Sequence, residues 1–389
     1  MIVGIDASNL NEGGGLTHLL EVFLSFNIDE HNISKVVIWG RKKTLKKIYN
    51  YSWLTKITPK ELSSNLLIRL LWQKYQLSNS AKENNCDIIF SPGGIFFCSF
   101  RPFVSMSQNM LPFESSEAMR YGFTSRLFRL MLLRKIQTHT FNSANGVIFL
   151  TSYAKEKVSK LLRNIPLNLT VIPHGVNPRF HLLPREQLNI SEYSITRPFK
   201  IVYVSIIDQY KHQWHVVEAV SKLRKEGCPV TLDLYGLSYL PAKKRLEKSI
   251  KKFDKNGDWV TYYGLAAYSE LHNIYKSANL GVFASSCENM PIILLEKMAS
   301  GLPIACSKSG PMSEILGDSG EYFDPEQPLE IYHAIKKLID NIQLRTEKSQ
   351  ASFDNSKKYS WDLCAYKTFS FLEDVIINYK KNGAVKLIK

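Results

Sequence analysis

Short apolar runs alternate with helical stretches along the whole chain, and this alternation constrains the fold more than any other feature. Runs rich in Val, Ile and Phe occur at residues 2–5, 35–39, 88–90, 103–106, 146–150 and 170–172, with helical patterns such as 17–24 and 154–162 between them. Brief strands of near-continuous apolar residues are what a parallel sheet covered on both faces requires. Residues 176–198 interrupt the pattern with Pro178, Pro184 and Pro198 in mixed polar surroundings. The alternation then restarts, with strands at 201–204, 231–235, 260–263, 280–284 and 304–306 and helices at 215–226, 239–253, 269–276 and 291–299. A last helix, 361–379, leads into a basic tail. The pattern predicts an α/β protein of two Rossmann-like doubly wound domains facing one another across a cleft. Their expected limits are an N-terminal domain 1–175, a linker 176–198, a C-terminal domain 199–360, and a terminal helix with its tail, 361–389. Ligands of such sheets bind beyond the carboxyl ends of the strands, so function is sought in the loops that follow strands.

A length of 389 residues suits two cores rather than one. Six scattered cysteines without a Cys-x-x-Cys pair fit free thiols better than a disulfide framework or a zinc site. The opening Met1-Ile-Val-Gly-Ile-Asp6 reads as a strand rather than a leader, and no apolar run approaches the ~18 residues that span a bilayer. The expected setting is cytoplasmic. A formal charge of +15 suits an anionic partner. Nucleic acid is disfavoured, because no helix-turn-helix, zinc-finger or RRM signature is present. Between Glu117 and Glu156 the chain carries Arg120, Arg126, Arg129, Arg134, Lys135 and Lys155 but no acid, with Tyr121, Phe123, Leu127, Phe128, Leu130, Met131, Leu132 and Leu133 among them. On a helical wheel these charges scatter rather than forming one face. Residues 66–75, with Arg69, Trp72, Lys74 and Tyr75, mix basic and apolar side chains in the same way. Both segments fit a solvated basic edge or a membrane-surface patch.

The stretch richest in chemistry runs from Leu280 to Pro303. A strand ends near Ala284, and Pro291 stands where a helix would begin, with Asn289 or Met290 as its cap. The first backbone N–H groups of such a helix, which follow Pro291, can receive a diphosphate. Glu288 precedes the helix and Glu296 lies inside it, so two carboxylates can accept hydrogen bonds from the hydroxyls of one ligand. Alone, the pair also fits a helix-dipole acid beside an unrelated surface acid. Lys211 follows the first strand of the second domain, where an ammonium could neutralise a departing diphosphate or simply sit at the surface. Near the N-terminus, Asn11-Glu-Gly13-Gly14-Gly15-Leu-Thr17-His18 follows a strand, and its glycines allow a close backbone approach or merely a flexible turn. It is not Gly-x-Gly-x-x-Gly. Gln108 and Asn109 follow another strand, and neither titrates near neutrality, so a general base is not expected there. A polar loop that caps the next helix is the alternative. His174, near the hinge, suits a satisfied structural histidine or a ligand contact. No Asp-x-Asp occurs, and Asp254-Lys-Asn-Gly-Asp258 lacks the later glutamate of a calcium loop, so no metal is expected.

The segment Glu288-x7-Glu296 resembles the Glu-x7-Glu element of the retaining family-4 glycosyltransferases (group 1, GT-B architecture). Leu294-Leu-Glu296-Lys-Met-Ala-Ser-Gly301-Leu-Pro303, Gly310-Pro-Met-Ser-Glu314, Tyr322-Phe-Asp-Pro325, Tyr263-Gly264 with Glu270-Leu271 and Tyr275, and Val171-Ile-Pro-His-Gly-Val-Asn177 resemble the family's other landmarks. The resemblance implies a GT-B fold whose last helix crosses back to the first domain, and a hexosyltransferase-type enzyme that moves a sugar from a nucleoside-diphosphate sugar with retention. It implies no cofactor and no metal. Glu288 would contact the donor sugar and Glu296 the ribose hydroxyls. Lys211 and Glu288 would be the catalytic residues. Gly14, Gly15, Ser205, Gly236, Asn289, Met290, Pro291 and Ile292 would join Lys211, Glu288 and Glu296 around the donor, and Gln108, Asn109 and His174 would lie on the acceptor or sugar side. The family places an Arg five residues before Lys211, where this chain has Ile206. The implied acceptor is a glycan or lipid-linked glycan in bacterial surface polysaccharide assembly (O-antigen, capsule or lipopolysaccharide), reached from the inner face of the cytoplasmic membrane by peripheral association. A sugar-nucleotide epimerase of the same architecture and a non-catalytic nucleotide-sugar-binding subunit are the alternatives. An epimerase needs titratable groups at the sugar, which Gln108 and Asn109 do not supply.

Overall fold

The computed structural model describes residues 1–10 and 13–387. Asn11 and Glu12 of the glycine turn, and Ile388 and Lys389 of the basic tail, lie outside the described residues. The chain forms two compact units, Met1–Phe113 with Ser125–Gly175 and Ser360–Lys389, and Glu114–Thr124 with Val176–Tyr359.

The first unit is built on a parallel sheet of β1 (Ile2–Asp6), β2 (Lys35–Trp39), β3 (Leu54–Ile57), β4 (Ile88–Ser91), β5 (Phe103–Ser107), β6 (Gly146–Phe149) and β7 (Asn168–Val171). Their order is β3-β2-β1-β4-β5-β6-β7, with Ile5 of β1 registered between Ile38 and Phe90. Val36, Val37, Ile38, Phe103, Val104 and Val147 are completely buried, because helices cover both faces of the sheet. The order reverses beside β1, which makes the carboxyl end of that strand a switch point. The last helix, Trp361–Leu387, packs in this unit against the helix Gly14–Ser25. Phe26 and Phe369 meet with ring centroids 3.8 Å apart, and Asn378 donates to Asn168 at 2.8 Å. Gly146 opens β6 where a Cβ would come within 2.8 Å of the Val375 side chain. The helix therefore lies directly on the sheet.

The second unit has its own parallel sheet: β8 (Phe199–Val204), β9 (Val230–Tyr235), β10 (Val260–Gly264), β11 (Leu280–Phe283), β12 (Ile304–Ser307) and β13 (Gly320–Phe323). The order β10-β9-β8-β11-β12-β13 places a switch point between β8 and β11. Two strands, β3 and β13, do not appear in the sequence pattern. Both are edge strands, and their central residues are only partly buried, so they lack the apolar run that marks the inner strands.

Residues 176–198, expected as a linker, pack as part of the second unit. The physical reason is a buried cation: Arg345 reaches Gln187 Oε1 at 2.9 Å and the Leu188 carbonyl, and its other donors meet the carbonyls of Leu338 and Ile339. Leu182 N also donates to the Ala299 carbonyl at 3.0 Å. Residues 114–124, assigned by sequence order to the first domain, likewise belong to the second unit. Among the described residues no helix is long and apolar enough to cross a membrane.

Candidate functional site

In the second unit the expected donor residues gather on the loops that follow β8, β9 and β11. Beyond β8, Asp208 caps a single 3-10 turn (Gln209–Lys211), its Oδ1 accepting from Gln209 N at 2.8 Å. His212 then adopts a left-handed conformation with φ 49, which few non-glycine residues tolerate, and the helix Gln213–Lys225 starts directly after it. This sharp reversal leaves Lys211 buried, with its carbonyl accepting from Tyr203 Oη at 2.8 Å. Its ammonium donates to Glu288 Oε1, so the two residues expected to share the donor form an ion pair in the free protein. The Lys211 Nζ also stands 5.0 Å from the Tyr210 ring and 5.2 Å from the Phe283 ring, both of which favour a cation.

The loop after β11 is tied to the loop after β8. Ser286 N donates to the Tyr210 carbonyl at 2.8 Å, and Ser286 Oγ lies 3.0 Å from His212 Nε2. Ser286 Oγ donates in turn to Glu117 Oε2 at 2.7 Å. Burial holds the His212 imidazole at about 3, so it is neutral, and its Nε2–H is the donor to Ser286. Arg120 pairs with Glu117 at 2.8 Å and with Glu326, and Tyr121 Oη donates to Asp208 Oδ1 at 2.9 Å. Residues 114–124 thus brace both loops that carry Lys211 and Glu288. Sequence reasoning missed Glu117, Ser286 and His212; the acid and base three residues apart at Glu117 and Arg120 were the available signal.

Pro291 is not the first helical residue. It has φ -77 and ψ 109, in the extended region, and occupies the cap position without a side-chain cap, so the helix is Ile292–Ala299. Leu294 N already donates to the Pro291 carbonyl at 2.9 Å, and by helix geometry the N–H groups of Ile292 and Ile293 have no acceptor within the helix. Glu296 is buried and accepts from Tyr275 Oη at 3.4 Å. Burial pushes its carboxyl up to about 7. The next residue, Lys297, was not anticipated as part of the site. It is completely buried, its Nζ donating to the carbonyls of Val204 (3.3 Å) and Ile293 (3.4 Å), and burial lowers its ammonium to about 7.

Ser205 and Gly236 close this floor. A Cβ on Gly236 would lie 2.0 Å from the Ser205 carbonyl oxygen, and its φ of 143 suits only glycine. Ile206, where the family resemblance expects Arg, is 43% exposed and brings no charge. Among the described residues no group of three or more His, Cys, Asp or Glu is placed to hold a metal ion.

The remaining candidates lie in the first unit. Gly14 and Gly15 open the helix Gly14–Ser25, and a Cβ on Gly15 would come 2.7 Å from Gln108 Oε1. The glycine turn and Gln108 are therefore in contact. Asn109 spends its Oδ1 on Leu111 N at 3.0 Å, closing its own turn. His174 meets His18, which the sequence shows only as the end of the glycine turn, with their Nδ1 atoms 3.1 Å apart. Both rings are buried and both are held neutral by burial, His18 at about 4 and His174 well below its ordinary value, so one Nδ1–H donates to the other Nδ1 lone pair. Trp361 packs on both imidazoles, with centroids 5.8 Å and 5.6 Å away.

The second unit, with its switch-point ion pair and Glu-x7-Glu helix, is where the likeness in sequence to known proteins falls. Residues 185–355 match the family described as Glycosyl transferases group 1. The O-antigen chain mannosyltransferase B of Escherichia coli is 27% identical over 112 residues, 29% of this chain and 29% of that protein. The chain thus spans under a third of that curated relative's length. Two solved structures share the whole architecture. One is a sucrose-phosphate synthase from Thermosynechococcus elongatus, with a TM-score of 0.76 and 14% identity over 97% of this chain and 100% of the other. The other is Anabaena Alr3699/HepE in complex with UDP-glucose, with a TM-score of 0.71 and 15% identity over 96% and 99%. At these identities the likeness is one of fold, and the fold is GT-B.

Proposed function

We propose that the chain is a retaining, metal-independent glycosyltransferase that moves a sugar from a nucleoside-diphosphate sugar to a glycan or lipid-linked acceptor. The observation that carries this reading is the Lys211–Glu288 ion pair at the carboxyl ends of β8 and β11, beside the N-terminus of the helix Ile292–Ala299. The donor's diphosphate would take the N–H groups of Ile292 and Ile293 together with the Lys211 ammonium. Glu288 would then be released from Lys211 to accept hydrogen bonds from sugar hydroxyls, and Glu296 would accept from the ribose.

As the bond from the anomeric carbon to the phosphate oxygen breaks, its electron pair passes to the diphosphate, where Lys211 stabilises the growing charge. The acceptor hydroxyl bonds to the anomeric carbon from the same face, and its proton goes to the departing phosphate oxygen. No side-chain base is needed, which accords with Gln108 and Asn109 near the glycine turn. The names of the Escherichia coli relative and of the UDP-glucose-bound neighbour support a polysaccharide setting and a nucleotide-sugar donor. We place the acceptor in surface polysaccharide assembly, O-antigen or lipopolysaccharide, on the cytoplasmic face of the membrane.

The test is a thermal-shift screen of nucleotide sugars, followed by transfer with the stabilising donor and determination of the product's anomeric configuration. An inverted product, or a rate abolished by EDTA, would sink the mechanism. Nucleotide binding without any sugar release would make the chain a binding subunit instead.

A further inference from the structure

Two helices of the first unit turn apolar side chains outward. On Leu66–Tyr75, the residues Leu67, Leu71 and Tyr75 are each more than half exposed and, spaced by four, form one stripe, while Trp72 and Gln73 hold the opposite face in the core. On Ser125–Ser143, Phe128, Met131 and Leu132 are likewise more than half exposed and share a face, while Leu130, Gln137, Thr140 and Phe141 are buried. Singly exposed apolar residues are ordinary, but two such stripes are not.

The helices are neighbours. Leu66–Tyr75 connects β3 to β4 and Ser125–Ser143 connects β5 to β6, and right-handed crossovers put both on one face of the sheet. The chain between β4 and β5 is held by both. Gln73 donates to the Ile95 carbonyl at 3.1 Å and accepts from Phe97 N at 3.0 Å, while Phe96 N donates to Thr140 Oγ1 at 3.1 Å.

The charge of this face is one-sided. Neither helix contains Asp or Glu, and between them they carry Arg69, Lys74, Arg126, Arg129, Arg134 and Lys135. Lys74 lies beside the Leu67–Leu71–Tyr75 stripe and Lys135 one turn beyond Met131 on the same face, and both are exposed. Long apolar side chains rimmed by Lys and Arg, with no acid among them, match a layer that is hydrocarbon below and phosphate above. Protein interfaces, by contrast, are depleted of Lys.

We propose that this two-helix face docks the chain on an anionic lipid bilayer, Leu67, Leu71, Tyr75, Phe128, Met131 and Leu132 entering the acyl boundary and the exposed Lys74, Arg129 and Lys135 meeting lipid phosphates. The inference deepens the reading of a membrane-borne acceptor and rests on it.

Co-sedimentation of the full chain with vesicles tests it, without sugar donor or acceptor. Phosphatidylcholine vesicles containing phosphatidylglycerol should pellet the protein, phosphatidylcholine alone should not, and binding should weaken about tenfold between low and high salt. The pairs Leu67→Glu with Leu71→Glu, and Phe128→Glu with Leu132→Glu, should each weaken binding at least about tenfold while leaving the circular dichroism spectrum and melting temperature near the parent's. Failure to pellet with anionic vesicles, or pelleting unchanged by both pairs, overturns the proposal. So does a parent dimer, seen by sedimentation equilibrium, that the substitutions convert to a monomer without changing vesicle binding, because a second copy then covers the face. If vesicle binding fails while transfer to a soluble acceptor persists, the docking surface is wrong and the transferase reading stands.

Discussion

The ammonium of Lys211 is bound by the carboxylate of Glu288, 77 residues further along the chain and one strand away across the switch point of the second sheet. The pair is mostly shielded from water, with side-chain exposures of 5% and 13%. Removing either partner leaves the other charge poorly solvated, so Lys211→Ala and Glu288→Ala should each destabilise the protein by about 3 kcal/mol. Lys211→Ala should also cut the transfer rate by roughly 100-fold or more, because the charge on the departing phosphate loses its cation. Melting curves and initial rates on both single variants and the double variant would check this. Full activity in a folded Lys211→Ala protein would remove Lys211 from the mechanism.

Glu296 and Lys297 adjoin in sequence but should respond to pH in opposite senses. The Glu296 carboxyl is raised from 4.5 to about 7, so its contribution to stability is fully present below pH 4.5 and is lost as pH rises through 7. The Lys297 ammonium is lowered from 10.5 to about 7, so its contribution is present above pH 10.5 and is lost as pH falls through 7. Urea midpoints should therefore pass through a minimum near neutrality, the acid limb amounting to ~3 kcal/mol and the alkaline limb to ~5 kcal/mol at most. Glu296→Gln should flatten the acid limb and Lys297→Met the alkaline one. Limbs that survive both substitutions would assign the pH dependence elsewhere.

Gly236→Ala should damage the donor side without touching a charged residue. The new Cβ would meet the Ser205 carbonyl at 2.0 Å, and φ 143 adds backbone strain. A loss of about 3 kcal/mol is expected, together with weaker nucleotide-sugar binding by calorimetry. Calorimetric affinity equal to the parent's would show that the turn after β9 plays no part in donor binding.

The buried His18–His174 pair should confer acid sensitivity on the first unit. Both imidazoles are held below their ordinary value, so their contribution is present above pH 6.5 and is lost as pH falls toward the His18 value of about 4. Ring-proton NMR should show two histidines that do not titrate between pH 8 and pH 5. In His18→Gln, the acid unfolding midpoint should move to lower pH, since one buried base is gone. If both rings titrate near 6.5, the pair is not buried in solution.

Much of the frame was legible because it rests on local pattern. The inner strands announced themselves as apolar runs, and Lys211, Glu288 and Glu296 stood out through the motif resemblance rather than by type and position alone. The edge strands β3 and β13 did not, since half-buried strands carry mixed residues. The cap position of Pro291 is not legible in the sequence, because its preferred backbone angle suits a helix start and an extended residue equally well. The burial of Lys297 leaves no mark in the sequence, because a lysine in a helix ordinarily points to water.

By itself, then, the sequence determined two doubly wound units and the loops that carry the candidate residues, because periodicity and motif spacing act within single segments. Only the tertiary structure decided which distant side chains meet: Lys211 with Glu288, Ser286 with Glu117 across 169 residues, and His18 with His174 across 156. Those meetings follow from strand order and crossover direction, and no local pattern encodes them. They turn a carboxylate expected to wait for a sugar into one already held by a lysine.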